Sequence, residues 1–274
     1  MKISAMVTLS EPERMNFPYI ESIKSFLPVV DEMVVIWNVL PEFQDEGREK
    51  IEAIGDPKIR IVHGAFDLMR MGWISFGVMR TTGYHACTGD MVLMFDADGI
   101  LHEKDHGNLK KELGVMANDK KGYGFWMKHR FYSTTRCWRQ GKHSGIYNKA
   151  LLKDNFDFYG SKVMGVPNWD IVPDEYKPGR QITAYLYGYE RIWDTEESVR
   201  EKTKRYHEMH RNAGTLGDKP EDEEEYYQNF LREKRERLAR EGYDLPIKSH
   251  PKIIQEKLRG VTKDQCGYNL FLQK

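Results

Sequence analysis

Two carboxylates two residues apart, Asp96 and Asp98, follow an uninterrupted apolar run, Met91 to Phe95 (MVLMF). A strand of that character is buried on both faces, and in open α/β sheets its carboxyl end is where ligands bind. Acids at this spacing can hold a hard divalent cation through oxygen, directly or through water, and a diphosphate supplies further oxygens to the same ion. The ion then stabilises the charge that develops on a departing diphosphate. Taken alone, Asp-Ala-Asp reads better as a polar turn in which Asp98 makes a local bond ahead of Gly99. Its place behind a strongly apolar strand favours the ligand-binding reading.

Two other acidic motifs compete. An EF-hand loop opening at Asp96 would need a ligand at Ile100, a glycine at Leu101 and an acid at Gly107, and all three fail. FDADGIL also resembles the first motif of haloacid-dehalogenase-type phosphatases, in which Asp96 would be the phosphorylated nucleophile and Asp98 the general acid/base. That motif continues with threonine where Ile100 stands and opens the first strand of its domain, whereas three strands precede it here.

The elements that must position the acids are read from periodicity. Lys2 to Ser10 is a buried strand ending in a polar turn, and Tyr19, Ile20, Ile23, Phe26 and Leu27 mark an amphipathic helix closed by Pro28. Glu32 to Trp37 is the second strand. A helix over Gln44 to Ile54 ends at Gly55, and Lys58 to His63 is the third strand. Ser75 to Cys87 reads as a helix broken by Gly89-Asp90 ahead of the MVLMF strand. Strands and helices in alternation, with continuously apolar strands, predict a mainly parallel sheet covered on both faces. The aromatic and basic stretch Tyr123 to Tyr147 predicts two or three antiparallel strands, and Gln181 to Tyr189 a last one. Beyond Asp194 the chain is strongly charged, with helices over Glu196 to Arg211 and from Glu221 to about Gly242. This gives an α/β domain over 1–190 and a charged helical extension over 191–274, which wraps the core or mediates contacts rather than forming a domain of its own.

Composition limits the partners. The 274 residues carry 42 basic and 42 acidic side chains, so no net field steers the protein toward nucleic acid or an anionic membrane. The three cysteines, Cys87, Cys137 and Cys266, are far apart and odd in number, which argues against a disulfide framework or zinc site and for a reducing compartment. No signal peptide or membrane span is expected, and the expected location is the cytoplasm.

The ordered series Ala5–Ser10, Glu11, Glu32–Trp37, Ile59–His63, Met79-Arg80-Thr81-Thr82-Gly83, Gly89-Asp90 and Asp96-Ala97-Asp98 resembles the N-terminal half of family 2 glycosyltransferases of GT-A fold. Leu186-Tyr187-Gly188-Tyr189, Glu197 to Lys202 with Tyr206, and His250-Pro251 resemble later segments of a subset of them. The resemblance implies a Rossmann-like mixed sheet flanked by helices. It also implies transfer of a hexose-type unit from a UDP- or GDP-linked sugar to a saccharide or other hydroxyl acceptor, assisted by Mn²⁺ or Mg²⁺. Asp98 would be the main metal ligand, and Asp96 would contact the metal or the donor ribose. Arg80 and Gly83 would lie beside the donor, and Thr8 and Glu11 would border its nucleoside. The family's base-binding Asp is replaced by Trp37-Asn38, so Asn38 would meet the base edge and Trp37 stack on it. Leu186 stands where a third, histidine ligand is often found.

A general base for the acceptor is sought in Pro167-Asn168-Trp169-Asp170, where Asp170 lies beside an aromatic able to stack on a sugar; Asp174 and Glu175 are nearby alternatives. His207 and His210 share a helix face and either reach one metal or are surface residues. His143 lies near the donor phosphates or is an ordinary strand-end histidine. Trp126, His129, Arg130, Tyr132, Arg136 and Trp138 form an acceptor groove or a packed outer face. The two remaining functional alternatives are the phosphatase on Asp96 and Asp98 and a GT-like domain that binds a sugar or partner without catalysis.

Overall fold

The computed structural model describes residues 1–40, 45–72, 74–118, 123–140, 149–153, 179–189, 191–212, 214, 216–262 and 266–272. The apolar runs become the central strands β1 (Ile3–Leu9), β2 (Glu32–Trp37) and β4 (Met91–Phe95), with β3 (Ile59–His63) outside β2. They run parallel in the order β3-β2-β1-β4, with Val7 beside both Val35 and Phe95. Helices α1 (Tyr19–Phe26) and α2 (Gly47–Glu52) lie in the first two crossovers. The third crossover holds α3 (Leu68–Met71) and α4 (Ile74–Ala86). It carries the chain from β3 past β2 and β1 to the far side of β1, so the strand order reverses between β1 and β4.

After β4 a turn leads into the short β5 (Gly99–Leu101) and α5 (His106–Met116). The aromatic stretch forms β6 (Tyr123–Phe131), β7 (Arg136–Gln140) and β8 (Lys149–Leu152). β8 is antiparallel to both β4 and β6, and β7 is antiparallel to β6. β9 (Arg180–Gly188) runs parallel to β6 and antiparallel to β5. The whole is a mixed sheet with a parallel centre, flanked by helices.

Alternate residues of the central strands build two cores. Ala5, Val7, Val35, Leu93 and Phe95 face α1 and α5, where Phe95 stacks on Phe26 at 3.9 Å. Met6, Val34, Ile36, Val92 and Met94 face α4. The charged C-terminal region is α6 (Glu196–Asn212), α7 (Glu223–Glu241), β10 (Tyr243–Asp244), α8 (Lys252–Arg259) and α9 (Cys266–Leu272). Its apolar residues are few, but Val199, Tyr227, Leu231, Leu238 and Phe271 close over Tyr132 and Trp138, and β10 pairs with β7. Among the described residues no helix is long and apolar enough to cross a membrane.

Candidate active site

The two acids are presented by a tight turn. Gly99 N donates to Asp96 O at 2.9 Å, closing Asp96–Gly99 as a β-turn that reverses the chain from β4 into β5. Asp96 keeps part of its side chain open to solvent, whereas Asp98 is buried. Each meets a cation. Arg80 Nη2, from the middle of α4, donates to Asp96 Oδ1 at 3.1 Å. Lys128 Nζ, from β6, donates to Asp98 Oδ1 at 2.7 Å and stands 3.8 Å from Asp96 Oδ2.

The lysine is seated by β9. Gly188 pairs with both Gly99 and Arg130, and a β-carbon there would overlap Lys128 Cε and come within 3.2 Å of Asp98 Oδ2. The missing side chain is the space that the lysine stem occupies. Tyr189 N donates to Asp98 O at 3.1 Å and fixes the other side of the turn. Lys128 was not foreseen from sequence. The available signal was a lysine in YGFWMKHRF at the same parity as Trp126, a buried side of a strand, where an ammonium persists only when paired.

This arrangement does not fit the expected divalent ion on Asp96 and Asp98. Among the described residues, the ammonium bridges the two carboxylates, and Lys128 and Arg80 bring two positive charges to the two negative ones. A divalent cation on the same oxygens would have to displace this ammonium from the buried Asp98 carboxylate or share it. Among the described residues no group of three His, Cys, Asp or Glu side chains is placed to hold a metal. Leu186, where a third ligand was in question, is buried in the first core.

Across the strand-order reversal, the carboxyl end of β1 opens into a pocket. Thr8 and Ser10 form its floor, Met15, Phe17, Leu68, Met69 and Phe76 supply apolar walls, and Arg205, Tyr206 and Met209 of α6 cover it. Thr8, expected to border the nucleoside, lines this pocket. Glu11, with φ +48°, turns its carboxylate away into an ionic cluster: Arg14 Nη1 donates to it at 2.8 Å and Arg205 Nη2 at 2.8 and 3.0 Å. Arg14 also pairs with Glu201 of α6. Glu11 holds α6 over the pocket rather than lining it.

Three further residues of the expected site are placed as follows. The Asn38 amide is used internally, donating to Ser10 Oγ at 3.2 Å and Phe66 O at 3.0 Å and accepting from Phe66 N at 2.8 Å, so it ties loops together. Trp37 is packed in the first core and offers no stacking face. Gly83 faces the sheet, where a β-carbon would overlap Met6, so it sets the approach of α4.

The histidine pair separates. His207 Nε2 meets Pro220 O at 3.1 Å, and His210 Nε2 meets Lys219 Nζ at 2.6 Å. The aromatic–basic cluster is a packed face. Trp126 lies in the first core, Tyr132 and Trp138 lie under the C-terminal helices, and Arg136 pairs with Asp244 at 3.1 Å. Arg130 lies 5.9 Å from the Trp138 ring. His129 stacks on Tyr185 at 4.6 Å and contacts the Tyr243 hydroxyl. Burial, then the charges of Arg139, Lys104 and His250, push its pKa down to about 4. Asp170, Asp174, Glu175 and His143 lie outside the described residues.

No protein-family model and no curated protein sequence matches the chain. Among solved structures, that of S. aureus TarS 1-349 in complex with UDP-GlcNAc is similar at 14% identity and TM-score 0.47, over 96% of this chain and 80% of that one. TarS 1-349 in complex with UDP gives 14% identity and TM-score 0.45 over 87% and 72% of the two chains. A mycobacterial protein gives 16% identity and TM-score 0.41 over 78% and 75%. With TM-scores below 0.5, none of these likenesses carries a residue role or an activity to this chain.

Proposed function

We propose that this chain is a glycosyltransferase that takes a nucleoside-diphosphate sugar and passes the sugar to a hydroxyl acceptor. The observation that carries the reading is a juxtaposition at the strand-order reversal, the place where open α/β sheets bind ligands. A pocket with apolar walls and hydroxyls from Thr8 and Ser10 lies at the end of β1, and the Arg80–Asp96–Lys128–Asp98 set lies at the end of β4. The pocket suits a base and ribose, and the charged set suits the diphosphate beside it. The ordered motifs of residues 2–101 support the same reading.

In the reaction the acceptor oxygen attacks the anomeric carbon as its bond to the diphosphate oxygen breaks. The electron pair leaves with the nucleoside diphosphate, and the hydroxyl proton passes to a base, assigned in this proposal to Asp170. Arg80 orients the diphosphate and stabilises its growing charge. The donor site belongs to residues 1–190, and 191–274 contributes α6 as its cover.

The test is calorimetric titration with UDP and with GDP, followed by donor hydrolysis and transfer assays on the nucleotide that binds. One nucleotide is expected to bind, with Arg80→Ala weakening it by roughly tenfold to a hundredfold, as for loss of a hydrogen bond to a charged group. Asp170→Asn is expected to lower turnover by about 10²- to 10⁴-fold while leaving nucleotide binding intact. Failure of both nucleotides to bind, with or without divalent ions, would remove the reading.

A further inference from the structure

A divalent ion in a two-carboxylate site does two things: it cancels the repulsion between the acids, and it presents positive charge to an incoming anion. In this chain two side chains bring the positive charge that such an ion would supply. Lys128 Nζ stands between Asp98 Oδ1 and Asp96 Oδ2, at 2.7 and 3.8 Å. Arg80 adds a second positive charge 3.1 Å from Asp96 Oδ1, on the side of the pocket-forming helix α4. Two unit charges on two side chains equal the charge of one divalent ion.

The lysine is built into the site rather than resting there. Its side chain is 2% exposed, its stem fills the space left by Gly188, and its strand is held on both edges, by β9 along one and by β7 and β8 along the other. An exposed lysine could swing aside to admit a metal ion. This one would have to leave a closed slot and abandon a buried carboxylate, and an unpaired buried charge is strongly disfavoured.

We propose that Lys128 is the resident cation of the Asp96–Asp98 pair, so that the site receives its nucleoside diphosphate without a divalent metal. The inference rests on the donor reading above. Lys128 acts through the two acids, as a positioning and charge-balancing residue, while Arg80 faces the diphosphate.

The experiment has two arms on the full chain. In the first, UDP and GDP are titrated in EDTA and in Mn²⁺, on wild type and on Lys128→Ala. The wild type is expected to bind one nucleotide equally in both conditions. Lys128→Ala is expected to lose about tenfold or more in EDTA, with Mn²⁺ restoring much of the loss by returning the missing charge. A purely structural lysine would not be rescued in this way. In the second arm, the electron paramagnetic resonance spectrum of free Mn²⁺ is recorded with each protein. The wild type is expected to leave the six-line signal unchanged, and Lys128→Ala to diminish it.

Nucleotide binding by the wild type that requires Mn²⁺ would overturn the inference while keeping the donor reading. So would capture of Mn²⁺ by the wild type that is lost in Asp98→Asn. Absence of nucleotide binding in every condition would instead overturn the donor reading, and the Mn²⁺ spectra would still decide the role of Lys128. If Lys128→Ala does not fold, the two wild-type measurements decide alone.

Discussion

The Glu11 carboxylate and the Arg205 guanidinium meet through hydrogen bonds of 2.8 and 3.0 Å although 194 residues separate them in the chain. The contact fastens α6 across the carboxyl end of β1, and Tyr206 and Met209 of that helix complete the pocket. The helix over the pocket is thus held by ionic contacts with the very turn that a donor site would use.

Removing the arginine should loosen that cover. Arg205→Ala leaves Glu11 with Arg14 alone and is expected to cost about 1–3 kcal/mol in denaturant unfolding. Amide exchange across α6 should accelerate more than in the β1–β2–β4 centre of the sheet. A double-mutant cycle with Glu11→Gln measures the coupling, and additive single effects would show that the contact contributes nothing of its own.

Gly188 gives a sharper probe of the acid pair. Gly188→Ala places a methyl where Lys128 Cε now lies and should drive the ammonium off Asp98. Overpacking of this kind costs about 1–3 kcal/mol. A thermal melt reads the stability, and a crystal structure of the variant reads the lysine. An unmoved Lys128–Asp98 contact in that structure would refute the account of why glycine stands there.

Asn38 separates a tie from a reader of the base. Asn38→Ala removes hydrogen bonds to Ser10 and to Phe66 and should lower stability by about 1–3 kcal/mol. The ratio of UDP to GDP affinity should stay at its wild-type value, as measured by calorimetry. A changed ratio with unchanged stability would restore Asn38 to the role that the resemblance implied.

The acid side of the stability profile should show two windows. His129 and His250 are held neutral by burial, each with a pKa pushed down to about 4; for His250, the Leu245 carbonyl pulls upward and nearby His102 adds to the lowering. Their unfolded forms protonate near pH 6.5. The unfolded chain therefore binds more protons between about pH 6.5 and 4, and stability falls as the pH drops through that range. Glu32 acts lower down. Burial alone would raise its pKa, but hydrogen bonds from Ser4, Thr88 and Arg60 reverse this and hold it at about 2. Its contribution is complete above its unfolded pKa of about 4.5 and is lost as the pH falls toward 2. Urea unfolding at a series of pH values, on wild type and on His250→Gln, should flatten the upper window only.

Much of the donor half was legible from local pattern. Continuous apolar runs such as EMVVIW and MVLMF can only be strands covered on both faces, and their alternation with helices fixed a parallel sheet with Asp96 and Asp98 at the carboxyl end of β4. The helices Glu196–Asn212 and Glu223–Glu241 fall within a residue or two of where charge and periodicity placed them. The short α3 went unread because four residues carry too little periodicity, although its cap, Asp67, accepts hydrogen bonds from Met69 N and Arg70 N as a helix start should.

The sequence by itself determined the central strands, the helices α1, α4, α6 and α7, and which strand end carries the acids, because burial periodicity acts over neighbouring residues. Only the tertiary structure decided what those acids meet. Lys128 reaches Asp98 because β6 runs parallel to β9 and Gly188 clears its path; Asn38 turns inward because Phe66 stands opposite; and Glu11 is claimed by an arginine 194 positions later in the chain. Such pairings are set by sheet register and chain crossing, which no local spacing encodes. They determine whether a carboxylate is available to a metal or already satisfied by an ammonium.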